Sequence, residues 1–247
     1  MMIEIVHETQ GSREAYNRIF SEQGLTRHLD SYYLWALGLL RPRRGRRLLD
    51  MSCGAGQLLR FAAEMGLDSY GLDISDVAAR LAKDAAPRAK VIVGDGEGLP
   101  FPDGAFDYLI NLGSLEHYQN PKEGAREIAR VLKGDGEALI LLPNAFGLLW
   151  NIACVLQTGD VCDDSQPIQR YATLNEWRRL LEENGLSIQR VQGYERPLPR
   201  TRDDWVWYLR HPHKLLTRIF LIPFIPLPLA SNLAYICRKA RKGGKHG

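Results

Sequence analysis

The residues best suited to chemistry lie in the stretch LLDMSCGAG, residues 48–56. Asp50 ends an apolar run, and the loop behind it contains Gly54 and Gly56. Because glycine lets the backbone approach a ligand closely, such a loop after a strand is typical of a nucleotide site. Ser52 stands where a third glycine would complete the pattern, and we expect it to fit there if its φ angle stays negative.

The loop lacks the features of two common phosphate-binding motifs. The dinucleotide pattern G-x-G-x-x-G needs a small residue where this chain has Leu59, and the pattern G-x-x-x-x-G-K-S/T is absent. Asp50 would repel a pyrophosphate, whereas it would attract a ligand that carries an amino group and a sulfonium. The loop therefore favours a cationic nucleoside and argues against a nicotinamide oxidoreductase.

Polar side chains also end three later strands of the pattern. Asp73, Asp95 and Asn111 each follow an apolar, strand-like run, as Asp50 does. Ligands of parallel sheets lie beyond the carboxyl ends of the strands, so these four side chains predict one site. The alternation of strands and helices predicts an α/β fold with a doubly wound, mostly parallel sheet. The predicted strands are 47–51, 68–73, 90–94, 106–112, 137–142, 186–191 and 233–238, and the helices are 57–65, 76–85, 121–132 and 174–183.

Breaks in this pattern divide the chain into three parts. Residues 1–44 are predicted to form an N-terminal helical cap, and residues 45–195 form the core with an inserted cap segment over 145–172. Residues 196–247 form a basic, Pro-rich segment, which is expected to be irregular up to residue 231 and then to complete the sheet. This segment has eleven Lys or Arg residues and two acids. The imbalance predicts either an anionic partner or surface, or a solvated tail.

Five ordered motifs together resemble those of the class I S-adenosylmethionine-dependent methyltransferases, and within them the type 11 family, which includes quinone-biosynthesis enzymes. The motifs are residues 48–56, YGLDIS at 70–75, GDGEGLPF at 94–101, LEH at 115–117 and RVLKGDG at 130–136. The resemblance implies a Rossmann-like methyltransferase fold with a seven-stranded sheet, N-terminal helices and a C-terminal elaboration that covers the substrate. It also implies transfer of a methyl group from S-adenosyl-L-methionine to a small-molecule or lipid-like acceptor, and we expect the acceptor atom to be oxygen.

The resemblance implies roles for individual residues as well. Asp73 would accept hydrogen bonds from the ribose hydroxyls, and Asp95 would face the adenine amino group. The implied cofactor-binding residues are Asp50, Ser52, Gly54, Gly56, Asp73, Ile74, Asp95, Gly96, Asn111 and Leu112. Ser52, Gly96 and Asp135 depart from the family pattern, so a catalytically silent S-adenosylmethionine-binding protein stays open as an alternative.

A catalytic base is the next requirement, because methyl transfer to a hydroxyl benefits from one. His117 follows the fourth predicted strand and is the first candidate. The weaker candidates are His28, Tyr171 and Tyr194, while Tyr16 and Tyr33 are expected to cover the cofactor. Some quinone O-methyltransferases of the resembling type carry a metal-binding E-x-x-E-H pattern. Gly113 replaces its first glutamate here, so we expect no metal.

The C-terminal segment contains an apolar run, 219–230, with three prolines. This run is too short and too broken to span a bilayer. With the basic residues around it, it predicts peripheral membrane contact through 210–239, a flap over the pocket, or a dimer contact. Nucleic acid is not expected, since no recognised RNA-binding module accompanies the charge.

The chain shows no secretion signal and no metal-ligand spacing of its cysteines, so we expect a cytoplasmic, at most membrane-peripheral, protein with reduced thiols.

Overall fold

The computed structural model describes residues 1–7, 11–22 and 28–241. The strands are β1 (Met2–Val6), β2 (Arg47–Met51), β3 (Asp68–Asp73), β4 (Lys90–Val93), β5 (Phe106–Leu112), β6 (Leu132–Pro143), β7 (Ile168–Ala172), β8 (Leu186–Tyr194) and β9 (Asn232–Lys239). The helices are α1 (Ser12–Glu22), α2 (Asp30–Leu40), α3 (Gln57–Glu64), α4 (Asp76–Ala85), α5 (Pro121–Val131), α6 (Ala153–Thr158), α7 (Leu174–Glu183), α8 (Arg202–Arg210) and α9 (Pro212–Phe220). Parts of the predicted cap (8–10 and 23–27) and of the basic segment (242–247) lie outside the described residues.

Seven strands form one sheet in the order β4-β3-β2-β5-β6-β9-β8. The strands from β4 to β6 are parallel, and β9 runs antiparallel to both of its neighbours. The prediction of an α/β fold with a doubly wound, mostly parallel seven-stranded sheet is therefore confirmed. Strand order reverses between β2 and β5, and a crevice beyond their carboxyl ends is the place where such sheets bind ligands.

Two apolar layers hold the helices on the faces of this sheet. Successive residues of a strand point to opposite faces. Leu49 packs with α5 and α7 in one buried cluster, whereas Leu48 packs with α2 and α3 in another. Both leucines have no exposed surface. The central strands are thus apolar on both sides, as expected of a parallel sheet between two layers of helices.

The N-terminal segment differs from the predicted helical cap because it begins with a strand. β1 pairs antiparallel with β7, so that Glu4 stands opposite Arg170 in a separate two-stranded sheet. The predicted connection 145–172 therefore contains a strand as well as helix α6. The alternation of apolar and polar residues in IEIV is the local signal for β1.

The C-terminal segment is helical where an irregular chain was predicted, so that expectation is wrong over α8 and α9. Thr201 and Asp204 form a reciprocal capping box at the start of α8, and Pro212 occupies the first turn of α9. Asp204 also accepts a hydrogen bond of 3.0 Å from the backbone N–H of Ser31, which ties α8 to α2. The last strand, β9, completes the sheet.

Asn232–Lys239 forms β9 and is mostly buried between β6 and β8. The predicted membrane contact through 210–239 is therefore wrong over this strand. Among the described residues, no helix is long and apolar enough to cross a bilayer.

Candidate functional site

A cavity of about 720 Å³ opens beyond the carboxyl ends of β2, β3, β4 and β5. It has a strand-end wall, formed by residues that follow these four strands, and a helical wall, formed by α1, α2 and the loop 164–166. The predicted site residues that line it are Asp50, Ser52, Gly54, Asp73, Ile74, Asp95, Gly96, Leu112 and His117. The structure thus brings together most of the set that the sequence predicted.

Two residues of the predicted set, Gly56 and Asn111, do not line the cavity. Gly56 has a φ angle of 79°, and a Cβ atom there would lie 2.8 Å from the Cα atom of Ala82, so this glycine allows close contact with α4. Asn111 is buried; its side-chain amide donates to the carbonyl oxygen of Met51 (3.1 Å) and accepts from the N–H of Leu115 (3.1 Å). Both residues have an architectural role in this structure, and their contact with a cofactor stays a prediction.

Asp73 joins the glycine loop to the start of α4. Its two carboxylate oxygens accept hydrogen bonds from the backbone N–H of Gly54 (2.8 Å) and of Ser75 (2.9 Å). Burial raises the pKa of Asp73, and these backbone N–H groups act in the opposite direction. A carboxylate has about four acceptor positions, so both oxygens keep room for a ligand hydroxyl.

Asp50 is a buried carboxyl at the end of β2. Burial raises its pKa to about 8, and the nearby Asp73 contributes to the rise. Ionised Asp50 therefore needs a positive charge close to it. A sulfonium or ammonium group in the cavity would supply that charge, whereas a phosphate would not. The acids of this wall fit the ribose hydroxyls and the positive charge of S-adenosylmethionine.

The loop between β2 and α3 departs from our expectation at Ser52. Its φ angle is +67°, in the left-handed region, so the expectation of a negative angle is wrong. An L-residue in this region is strained by about 1–2 kcal/mol relative to glycine. The hydroxyl of Ser52 lies 2.9 Å from the hydroxyl of Tyr118, and this hydrogen bond offsets part of the strain.

Tyr118 is the main residue of the strand-end wall that the sequence did not predict. A Cβ atom at Gly96 would lie 2.2 Å from the Tyr118 hydroxyl, and a Cβ atom at Gly124 would lie 2.6 Å from its ring. The ring therefore occupies the space that an alanine at position 96 would need. Ser52 and Gly96, two departures from the resembled motifs, both accommodate Tyr118 and were the available signal for a bulky partner.

His117 lines the cavity beside this tyrosine, with its imidazole Nδ1 atom 2.6 Å from the carbonyl oxygen of Ile168. Because a carbonyl only accepts, Nδ1 carries the proton and the neutral ring has its lone pair on Nε2. Burial lowers the pKa of His117. Nε2 lies 3.8 Å from the carboxyl of Glu116, whose pKa burial raises to about 8. Glu116 is then largely protonated at neutral pH, so it does not hold His117 as a cation.

The segment that carries His117 and Tyr118 is held by Arg170 of β7. The buried guanidinium donates hydrogen bonds to the backbone carbonyls of Glu116 (3.1 Å), Tyr118 and Gln119 (3.4 Å). It also forms an ion pair with Glu4, at 3.2 Å between Nε and Oε2. The small sheet of β1 and β7 thus positions one end of the cavity, which explains the function of an N-terminal strand far from the glycine loop.

The helical wall contains several residues that the sequence proposed as covers or bases. Tyr16 and Tyr33 line the cavity, and the Tyr16 hydroxyl donates to the side-chain carbonyl of Gln166 (3.1 Å), which joins α1 to the loop 164–166. His28 lines it as well, and burial lowers its pKa, with a further contribution from Arg196.

The remaining base candidates, Tyr171 and Tyr194, lie outside the cavity lining. Tyr171 is buried in β7, and Tyr194 packs against Trp35 with 4.5 Å between ring centroids. No cluster of three metal-ligating side chains occurs in the described part of the chain.

Comparison with known proteins adds independent information about this site. Residues 49–140 match the family model described as a methyltransferase domain. The ajmaline N-methyltransferase of Rauvolfia serpentina is 30% identical over 95 residues, which cover 36% of this chain and 33% of that protein. The 27-O-demethylrifamycin SV methyltransferase of Amycolatopsis mediterranei is 36% identical over 100 residues, which cover 38% and 37%. The match therefore spans about a third of the length of each relative.

A solved structure extends the likeness to the whole fold. A chain of a complex that contains the Haloferax volcanii methyltransferase activator superimposes with a TM-score of 0.68, over 94% of this chain and 99% of that one. At 18% identity this likeness concerns the fold. The matched family model covers the glycine loop, Asp73, Asp95 and His117, which form one cavity here. Residues 49–140 therefore match a methyltransferase domain, and the chain as a whole has the Rossmann-like fold of such proteins.

Proposed function

We propose that this protein transfers the methyl group of S-adenosylmethionine to an oxygen atom of a small or lipid-like molecule that lies against the helical wall. The observation that carries the proposal is the common cavity of about 720 Å³. In it, the buried acids Asp50 and Asp73 and the neutral imidazole of His117 face the same space. Cavities of several hundred cubic ångströms accommodate drug-sized ligands, so there is room for a nucleoside and an acceptor.

The strand-end wall would hold the cofactor. Asp73 would accept the ribose hydroxyls, Asp95 would face the adenine, and Asp50 would lie near the positive charge. The chemistry that S-adenosylmethionine supplies when bound is an electrophilic methyl carbon on a sulfonium. Gly54 leaves space for the cofactor between the loop and α1. A Cβ atom at this position would lie in that space, 3.7 Å from the Phe20 ring of α1.

His117 would remove the proton from the acceptor hydroxyl. Its Nε2 lone pair is available in the neutral ring, since Nδ1 donates to the carbonyl of Ile168. The carbonyl contact also fixes the orientation of the ring, and Arg170 fixes the segment that carries it. Base catalysis by a positioned side chain typically contributes about a hundredfold to ten-thousandfold in rate.

The helical wall supports an apolar or aromatic acceptor. Tyr16, Ile19, Phe20, Tyr32 and Tyr33 line this side of the cavity. The sequence resembles a family that includes quinone-biosynthesis enzymes, so hydroquinones and other phenols belong in the first set of acceptors tested. Of the two relatives named above, one is by its name an N-methyltransferase of ajmaline and the other a methyltransferase of 27-O-demethylrifamycin SV. Amines are therefore the necessary comparison set.

The test is transfer of a labelled methyl group from S-adenosylmethionine to phenols, hydroquinones, aliphatic alcohols and amines. We expect product with a phenol or hydroquinone, and a rate that falls by at least about a hundredfold in His117→Gln while S-adenosylmethionine affinity stays unchanged. His213→Gln, which alters an exposed histidine of α9, is the matched control and should react at the wild-type rate. Methylation of amines alone, or a His117→Gln variant of full activity, would contradict the assignment of oxygen and base.

The alternative is a protein that binds S-adenosylmethionine without transferring its methyl group. The observation that favours it is the strained Ser52 together with the ring of Tyr118, which fills the space that a Cβ atom at Gly96 would need. Binding with normal affinity, followed by no methylation of any acceptor class and no effect of His117→Gln on binding, would support this alternative. Labelled product from one class would rule it out.

A further inference from the structure

A second cavity, of about 230 Å³, lies between the end of β8 and helix α9. It is separate from the large cavity at the carboxyl ends of β2, β3, β4 and β5. Three arginines line it: Arg196, Arg200 and Arg218. Glu195 is the acid among its described lining residues, and one of its oxygens is already occupied by the N–H of Ser231 at 2.6 Å. The cavity is therefore positively charged.

Two guanidinium nitrogens in this cavity have no protein acceptor. Nη1 of Arg196 and Nε of Arg218 are buried, and no hydrogen-bond partner in the described chain reaches either atom. A buried N–H group of a cation that lacks an acceptor is costly, so it indicates a place where an anion would be bound. The Arg196 guanidinium lies 4.8 Å above the centre of the Trp207 ring, which fixes its position.

An exposed apolar surface adjoins the cavity. We define the C-terminal apolar face as Leu216, Ile219, Phe220, Leu221 and Phe224, of which Phe220 is 69% and Phe224 80% exposed. Helix α9 contributes the first three and has no buried residue, so it lies on the surface of the protein. Ile222 and Ile225 of the same segment line the arginine cavity.

Basic side chains accompany this face. Lys214 and Arg218 are four residues apart on α9 and form a basic row on the opposite side of the helix from Leu216 and Phe220. A surface helix with an apolar side and a basic side is the arrangement of helices that lie in the interface of a membrane. The arginine cavity, which Arg218 also lines, adds a charge-complementary recess of the size of a headgroup next to the basic row.

We propose that this region docks on a membrane surface, with the anionic headgroup of a phospholipid in the arginine cavity and the C-terminal apolar face among the acyl chains. Arg196 and Arg218 would bind the phosphate through the N–H groups that lack protein acceptors. Trp35 of α2, a helix of the helical wall, also lines the arginine cavity. The docked face would therefore adjoin the wall assigned above to the acceptor. The proposal does not depend on methyl transfer.

The test is sedimentation of the full chain with lipid vesicles. We expect binding to phosphatidylcholine vesicles that contain about a third phosphatidylglycerol, binding at least about tenfold weaker to phosphatidylcholine alone, and loss of binding as sodium chloride increases. Equal binding to both kinds of vesicle, or binding to neither, would overturn the proposal. Calorimetry with inorganic phosphate is the second measurement; phosphate binding without vesicle binding would indicate a site for a soluble anion and would also overturn the membrane assignment.

Matched variants test the two parts of the surface separately. Arg218→Gln and Arg196→Gln should each weaken binding to anionic vesicles by about fivefold, because a basic residue near an anionic surface contributes about that factor. Arg88→Gln is the control, since Arg88 is exposed in the connection that precedes β4, the opposite edge strand of the sheet. If Arg196→Gln fails to fold because its stacking on Trp207 is lost, Arg218→Gln carries the test alone.

Phe224→Ser removes the most exposed ring of the apolar face and should weaken vesicle binding by about tenfold. Its control is Leu156→Ser on α6, where the leucine is 82% exposed. A loss of binding in Arg88→Gln or Leu156→Ser as large as in the paired variants would overturn the proposal. So would full binding by both Arg218→Gln and Phe224→Ser.

Discussion

The two walls of the large cavity are built in different ways. The strand-end wall comes from short turns after β2, β3, β4 and β5, and Asp73 binds Gly54 and Ser75, which are 19 and two residues away in the chain. The helical wall depends on contacts between distant segments, such as Tyr16 with Gln166, which are 150 residues apart. Local motifs therefore encode the proposed donor side, whereas tertiary packing determines the proposed acceptor side.

The largest expected effect is at Arg170. Its guanidinium holds the 116–119 segment against β7, the strand that follows the loop 164–166 of the helical wall. Arg170→Met should lower the free energy of unfolding by about 3 kcal/mol, because a buried guanidinium and its hydrogen bonds to the carbonyls of the 116–119 segment are lost. Denaturant unfolding measures the change. Arg179→Met on α7 removes an arginine that pairs with Glu176 but is 61% exposed, and it should cost less than about 1 kcal/mol. Equal effects would contradict the role of Arg170.

The strand-end wall can be tested through the protonation of Asp50. Its pKa of about 8 in the free protein should decrease beside a cation, so binding of S-adenosylmethionine releases a proton below that pH. Affinity should therefore rise by up to about fiftyfold between about pH 6 and about pH 8, and then level off. S-adenosylhomocysteine, which lacks the sulfonium charge, should show a smaller change, and Asp50→Asn should remove the difference between the two. Parallel pH profiles for both nucleotides would contradict this assignment.

The packing of Tyr118 is tested at Gly96. Gly96→Ala should lower the free energy of unfolding by about 2 kcal/mol, since the new Cβ atom would overlap the tyrosine hydroxyl. Gly98→Ala, two residues away and with no neighbouring atom within 4 Å, should leave stability nearly unchanged. In a Tyr118→Val protein, where the ring is absent, the further change Gly96→Ala should leave the free energy of unfolding nearly unchanged. A Gly96→Ala protein as stable as wild type would show that the ring does not occupy this space.

The smallest expected effect is at Ser52. Ser52→Gly removes the strain of a positive φ angle and also the hydrogen bond to Tyr118, so its stability should stay within about 0.5 kcal/mol of wild type. Ser52→Ala keeps the strain and loses the hydrogen bond, so it should be less stable than Ser52→Gly by about 1 kcal/mol. Thermal unfolding of the two variants decides; an alanine variant more stable than the glycine variant would contradict the left-handed conformation.

The sequence predicted the parts of the fold whose signals are local. The parallel strands and the acids Asp50, Asp73 and Asp95 follow from runs of apolar residues that each end at a polar one. Tyr118 was missed because its role depends on glycines at positions 96 and 124, which come next to it only in the folded chain. The pairing of β1 with β7 was missed for the same reason, as Glu4 and Arg170 are 166 residues apart.

The helices α8 and α9 were missed for a different reason. Prolines are frequent over residues 197–228 and obscure the helix start signals within that stretch. Thr201 and Asp204 have the spacing of a capping box, and Pro212 precedes an apolar pattern of helical period. Proline is tolerated in the first turn of a helix, so Pro212 begins α9 and does not break it.

The central claim, that the strand-end wall binds the methyl donor, is tested most directly by calorimetry on Asp73→Ala. Wild-type protein should bind S-adenosylmethionine and S-adenosylhomocysteine, and Asp73→Ala should lose at least about thirtyfold in affinity for both. Asp84→Ala, on the exposed side of α4, removes an acid without touching the cavity and should bind as wild type does. No binding of either nucleotide by the wild type, or an unchanged affinity in Asp73→Ala, would contradict the claim.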